Sequence, residues 1–315
     1  MSSDITLPFA IERLAIAGDR LVVQDEGSLF VFDLRRRSTR PLLLDREGAD
    51  LVCAFSNGQV LILDTDGDLR VLDEDGKELA RNALGEEAEL GSVRMLPEQQ
   101  LAVAIIPDMV GDEMLGIPRF RFLVTDDNLA LTWIEHEWPR WPAVWTVDSE
   151  QRRLLVQAAE ASHRFRVFAL DNGAAGADVT IPAGYSGADA LTSIDCAPDG
   201  SGFMLGQYSS ANGYARISFV AGESEGDRTI LCFEPGQGEV RGLSYSPDGG
   251  ALVFQYGPAE RPFLGYLDLA PDVDQQALKF LSILEPDTET VWIAPRQLVA
   301  ITDETAITLH TPGGI

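Results

Sequence analysis

Histidine and cysteine are scarce in this chain, with three of each among 315 residues. His136, His163 and His310 lack the spacing of a metal site, and Cys53, Cys196 and Cys232 form no paired motif. No structural zinc is therefore expected, and no other metal or cofactor. The cysteines lie in or beside apolar stretches such as Leu51 to Phe55 and Ile230 to Phe233, which predicts buried, reduced thiols in a reducing compartment. No run approaches the roughly 20 apolar residues of a membrane helix. Residues 1–10 carry neither a basic flank nor an apolar core, so the expected location is the cytoplasm. Also missing are a Gly-x-Ser-x-Gly elbow, a phosphate loop and a dinucleotide fingerprint, which predicts a protein that is not an enzyme.

Positive charge is short as well. Twenty-four Lys and Arg stand against 50 Asp and Glu, a net charge of -26. Such a surface repels nucleic acid and anionic lipid and favours a basic partner, although acidity also serves plain solubility. Arg35, Arg36, Arg37 and Arg40 read as a solvated turn, being outnumbered by acids. With 45% hydrophobic residues the chain has ample apolar material for a core.

What the chain does have is a degenerate repeat. The stretches Ile194-Asp-Cys-Ala-Pro-Asp-Gly-Ser-Gly-Phe-Met-Leu205 and Leu243-Ser-Tyr-Ser-Pro-Asp-Gly-Gly-Ala-Leu-Val-Phe254 each read as strand, tight turn, strand. Proline sets φ at the first corner, and Asp and Gly accept the tight or left-handed positions that follow. Asp199 and Asp248 lie 49 residues apart, near the roughly 40 to 50 residues of a four-stranded blade. At these residues the chain resembles the WD-repeat and TolB-like propeller families, in which a Ser-Pro-Asp-Gly turn joins the two inner strands of a blade. The Gly-His and Trp-Asp pairs of a standard WD repeat are absent.

That resemblance implies an all-β, seven-bladed β-propeller of four-stranded blades, one domain over residues 1–315. The blades fall at about residues 11–45, 50–84, 92–135, 143–183, 188–234, 239–284 and 289–311. Hairpin signals at Asn57-Gly58, Asp66-Gly67 and Asp75-Gly76 divide the second blade, whose strands alternate apolar and polar. The last blade is one strand short. Ile5 to Phe9 is expected to supply it, with Pro8 tolerated because the outermost strand is an edge.

In the family, turns between first and second strands lie on a lower face and turns between second and third strands on an upper one. The upper loops are the longer here: Pro107 to Pro118, Ala158 to His163, Tyr208 to Tyr214 and Tyr256 to Pro262, with the connector Glu137 to Trp141. Loops on a rigid scaffold carry binding, and Trp, Tyr, Met and Arg are enriched at interface hot spots. The expected partner surface is an acidic and aromatic crescent across blades three to six: Asp108, Met109, Asp112, Glu113, Met114, Trp138, Arg140, Trp141, His163, Tyr208, Tyr214, Tyr256 and Arg261. Trp138 and Trp141 serve equally as plugs between blades, and Trp133, Trp145 and Trp292 read as core.

Little chemistry is visible. Asp64-Thr-Asp-Gly-Asp68 has the alternating carboxylates of a calcium loop, but Leu69 and Asp75 stand where the EF-hand needs Gly and Glu, so a hairpin turn is expected. His163 beside Glu160 is a candidate acid-base pair without a visible third partner. The expected function is therefore a non-enzymatic protein-binding module, a scaffold or an immunity-type inhibitor of a basic protein, present as a monomer or in complex with that partner. Two alternatives remain. One is a propeller hydrolase or lactonase with its site at the central channel, for which Asp50, Asp148 and Asp195 are the inner-strand carboxylates. The other is binding of a small ligand or glycan.

Overall fold

The computed structural model describes residues 2–8, 10–17, 20–42, 48–84, 91–96, 100–108, 119–135, 144–158, 163–181, 189–221, 227–235, 238–258, 260–269, 278–284, 290–294, 297–303 and 306–311. Among them all regular structure is β, in seven antiparallel sheets of four strands. The chain divides into two compact units. β1 (Ser2–Thr6) belongs to the unit that also holds residues 142–169 and 174–315.

The other unit, residues 7–141 with 170–173, contains blades 1 to 3. Blade 1 is β2 (Arg13–Ala17), β3 (Arg20–Asp25), β4 (Ser28–Asp33) and β5 (Ser38–Pro41). Blade 2 is β6 (Asp50–Ala54), β7 (Val60–Leu63), β8 (Asp68–Leu72) and β9 (Glu78–Ala83). Blade 3 is β10 (Val93–Leu96), β11 (Leu101–Asp108), β12 (Arg119–Asp126) and β13 (Leu131–Glu135).

The first unit continues with blade 4, β14 (Trp145–Asp148), β15 (Arg153–Gln157), β16 (Arg164–Ala169) and β17 (Val179–Thr180). Blade 5 is β18 (Asp189–Cys196), β19 (Gly202–Ser209), β20 (Tyr214–Ala221) and β21 (Asp227–Cys232). Blade 6 is β22 (Glu239–Tyr245), β23 (Ala251–Gly257), β24 (Phe263–Asp268) and β25 (Lys279–Ile283). Blade 7 is β26 (Thr290–Ala294), β27 (Gln297–Asp303) and β28 (Ala306–His310), completed by β1, which pairs with β28 in the register Ile5 to Ile307. The N-terminal strand thus supplies the missing fourth strand, as expected. It lies three residues earlier than the sequence suggested, and Pro8 falls beyond it in a bend.

The core lies between neighbouring sheets. In β7 every residue is buried. Val60 and Ile62 join the apolar cluster shared with Val22, Leu29 and Val31 of blade 1, whereas Leu61 and Leu63 join the one shared with Ala102, Ala104 and Leu123 of blade 3. Side chains alternate between the two faces of a strand, and here both faces are covered. The expected alternation of apolar and polar residues in blade 2 is corrected for β7, which is apolar throughout, whereas β8 carries Arg70 buried at its centre and donating to Glu78 of β9; the outer strands β5 and β9 are largely exposed. Blade 5 repeats the arrangement, with Phe203 and Leu205 facing blade 4 and Met204 and Ile217 facing blade 6.

Turns follow the local chemistry of their sequences. Gly200 and Gly249, at φ +67° and +68°, close the two repeat turns, with Ala197 N–H donating to Gly202 O and Ser246 N–H to Ala251 O at 2.9 Å each. Asp64, Asp73 and Asp126 each accept two backbone N–H groups through one carboxylate oxygen. Backbone donors hold the Asp73 carboxyl below its ordinary range.

Adjacent blades are also tied near their inner strands. Asp195 of β18 accepts from Tyr245 N–H of β22 at 2.8 Å and from Thr146 Oγ1 of β14 at 3.2 Å. Ser193 Oγ accepts from Leu243 N–H at 3.0 Å. Cys53 and Cys196 are buried, and burial pushes both thiols up. Cys232 is exposed, against expectation, because it ends β21, the outermost strand of its blade. Trp145 is buried, while Trp133 lies half-buried under the Arg121 guanidinium, 4.4 Å from its ring, and Trp292 is also half-buried.

His310 is buried in β28, with Nε2 3.2 Å from Ser282 Oγ of blade 6. Burial lowers its pKa, with Asp4 opposing. The native state therefore favours neutral imidazole, so its contribution is complete above the unfolded value of about 6.5 and is lost as pH falls from there through the lower folded value. Between about pH 7.5 and 5.5 the melting temperature of His310→Gln should fall less than that of the wild type, as read by differential scanning calorimetry. Asp195→Ala strands Tyr245 N–H and should cost about 1.5–3 kcal/mol, read as a lower urea midpoint at unchanged m-value.

Candidate functional site: an acidic pocket between blades 1 and 2

A pocket of about 410 Å³ opens between blades 1 and 2, lined by Glu12, Gln24, Glu26, Gly27, Gly48, Asp50, Leu63, Asp64, Thr65 and Gly67. Its walls are the ends where second strands turn into third strands and where the chain enters each first strand. Glu12 precedes β2, Gln24 is the penultimate residue of β3, Asp50 opens β6, and residues 64–67 join β7 to β8.

Gln24 is the keystone. It follows the buried run Leu21-Val22-Val23 and is itself only 4% exposed, a position that demands hydrogen bonds for the amide. Its Oε1 accepts from Leu51 N–H at 2.7 Å, and its Nε2 faces Glu12 Oε2 at 3.3 Å and Asp50 Oδ1 at 3.1 Å. One amide thus draws together two carboxylates from adjacent inner strands, while Glu26 adds a third at the hairpin tip. Glu12, Glu26 and Asp50 are all exposed, so they remain accessible at the pocket mouth.

The fourth acid is differently placed. Asp64 is buried, its Oδ1 accepts from Asp66 and Asp68 N–H at 3.0 Å, and its Oδ2 lies 3.9 Å from Arg70 and 3.8 Å from Arg81. It caps the expected hairpin turn and balances two guanidiniums. The calcium-like spelling of residues 64–68 is turn chemistry.

The rim is built from three turns in close approach. Gly27 sits at φ +74°, and a Cβ there would lie 2.8 Å from Gly48 Cα. Among the described residues no three His, Cys, Asp or Glu side chains are arranged to hold a metal ion. The mouth thus presents exposed carboxylate acceptors, two of them, from Glu12 and Asp50, joined through the Gln24 amide.

The residues expected to form the crescent fare differently. Met109, Asp112, Glu113, Met114, Trp138, Arg140 and Trp141 lie outside the described residues. Asp108 is the last residue of β11, and Pro107 is also in that strand, so the loop begins later than the sequence suggested. Tyr208, Tyr214 and Tyr256 are strand residues of β19, β20 and β23, paired with Ala215, Ser209 and Phe263. Tyr208 and Tyr256 are half-buried against the blade 5 and 6 core, because regular pairing continues further than their polar neighbours implied. Burial raises the Tyr256 phenol. His163 is half-buried just before β16, and Arg261 is exposed in the β23–β24 loop. Sequence reasoning named Asp50 but missed Glu12 and Gln24. The available signal was a lone amide directly after the apolar run Leu21-Val22-Val23.

No family model and no curated protein sequence matches the chain. Solved structures do resemble it. An oligogalacturonate lyase in complex with manganese shares 13% identity at a TM-score of 0.67, over 98% of this chain and 90% of that one. The β-propeller domain of Cps50 (Swd1) from Myceliophteria thermophila shares 12% at 0.59, over 99% of both chains. A chain of the mitotic checkpoint complex shares 13% at 0.60, over 98% and 94%. The protein is a seven-bladed β-propeller, of the fold shared by WD-repeat proteins and the oligogalacturonate lyases. Within that fold stand both enzymes and scaffolds.

Gly27→Ala should cost about 1–2 kcal/mol from the left-handed backbone alone, and more if Gly48 has to give way, measured by urea unfolding.

Proposed function

We propose that this propeller is a non-enzymatic binding module, a scaffold or an immunity-type inhibitor working in the cytoplasm, and that the pocket between blades 1 and 2 receives a lysine or arginine side chain of a basic protein partner. The observation that carries this reading is the Glu12–Gln24–Asp50 arrangement. A buried amide has its hydrogen bonds committed to holding two exposed carboxylates in one place. Carboxylates kept together without a neutralising guanidinium repel each other, and that repulsion is relieved when a cation enters. The volume of about 410 Å³ is on the scale of small-molecule sites and accepts one long basic side chain. The surrounding charge of -26 draws such a partner in and accelerates its approach.

The test is isothermal titration of a short oligo-arginine peptide into the wild type, into the pocket variant Glu12→Gln/Asp50→Asn, and into a control that loses the same charge elsewhere, Glu150→Gln/Glu260→Gln. The pocket variant should bind about tenfold more weakly than the control, and raising the salt to about 0.5 M should weaken wild-type binding. Equal affinities for the two variants would mean that bulk acidity alone attracts the peptide, and the pocket reading would fall.

A further inference from the structure

We propose that the outer edge of blade 6 docks an extended segment of a partner protein, one with apolar side chains at alternate positions and Lys or Arg at its flanks. An unpaired strand edge offers its N–H and C=O groups to any extended chain unless charge, proline or shortness blunts it. Several other outermost strands are blunted. β5 carries Arg40 and Pro41, β9 carries Glu78 and Arg81, and β17 is two residues long. β1 contains the exposed Asp4.

β25 differs. Its one charge, Lys279, lies 5.5 Å from the centre of the Tyr266 ring on one face of the sheet. On the other face Phe280 is 55% exposed and Ile283 39%, with Leu278 at 37% just before the strand. The register places Ile283 opposite Phe263 and Phe280 opposite Gly265, so both apolar side chains share a face. A Cβ at Gly265 would meet Phe254 at 2.6 Å and Leu278 at 3.2 Å, so the glycine is what lets these groups close over the sheet.

Phe280 is also held in position. It is the outer end of an aromatic ladder that begins in the core: Phe233 to Tyr256 at 5.0 Å, Tyr256 to Phe263 at 5.5 Å and Phe263 to Phe280 at 5.7 Å between ring centres. The ladder anchors an exposed ring without ordering cost at the moment of binding, which is the property of an interface anchor. Charge selects the occupant. A second copy would bring a charge of -26 against its like, whereas an apolar strand with basic flanks is attracted by the same field. This surface is separate from the pocket, and neither reading depends on the other.

The probe is a fluorescent peptide of alternating valine and threonine with lysines at both ends, followed by anisotropy, beside the same peptide N-methylated at alternate amides. The wild type should bind the first. Binding should weaken by about tenfold or more on N-methylation, in Phe280→Lys and in Ile283→Lys, while both variants keep a cooperative melting transition lowered by the contacts each side chain makes on the sheet. The Glu12→Gln/Asp50→Asn variant should retain the peptide, which separates this result from that of the pocket. Absence of wild-type binding, or binding that survives N-methylation and both substitutions, overturns the proposal. So does sedimentation showing a wild-type dimer that Phe280→Lys dissolves, since the edge would then serve a second copy.

Discussion

The burial of both faces of each middle strand is the constraint on which the rest of this structure depends. In an ordinary half-solvated sheet the period-two alternation separates core from water. Here it separates one neighbouring blade from the other, as Val60 and Ile62 against Leu61 and Leu63 demonstrate. Each such side chain contributes about 1.5–3 kcal/mol by leaving water. Polar side chains stay in such strands where a partner is at hand, within the blade for Arg70, which donates to Glu78, or across to the next blade. Gln24 and Asp195 are two that stay, and each joins neighbouring inner strands through backbone N–H groups.

The same constraint explains what could be read from the sequence. Strands end where turn chemistry begins, and Asp-Gly, Asn-Gly and Pro-Asp-Gly are local signals of it. The completion of blade 7 by the chain start was legible because three apolar runs remained after six quartets had been assigned. Tyr208 and Tyr256 were misplaced. The turn residues Asn212-Gly213 and Gly257-Pro258 lie just beyond these rings, and backbone pairing carries both tyrosines into the sheet up to that point. Cys232 misled because its apolar neighbours Ile230 and Leu231 sit on an outermost strand, where hydrophobicity no longer implies burial.

The pocket was harder to see, because its members come from separate turns, with Glu12 and Asp64 brought together only by the packing of blade 1 on blade 2. A single buried amide was its one local trace. Gln24 reads as an error in a run of Leu and Val until the partners across the blade junction are known. Nothing in the spelling of residues 12–67 says that three loop ends meet, since that follows from the close approach of Gly27 and Gly48 and not from any motif.

Acidity in this chain has two uses, and separating them decides how the charge of -26 bears on function. Asp33, Asp64, Asp73, Asp126, Asp199 and Asp248 each accept backbone N–H groups within their own turns. These carboxylates are structural, and their number reflects how many hairpins a propeller needs, so composition by itself overstates the case for a basic partner. Glu12 and Asp50 cap no turn among the described hydrogen bonds. They are held by a side chain whose burial demands such partners, in a place where two negative charges oppose each other. A turn-capping acid lowers the energy of the fold at the position it occupies. Glu12 and Asp50 are instead joined through one buried amide while staying exposed, so their place follows from the meeting of blades 1 and 2 and not from a turn.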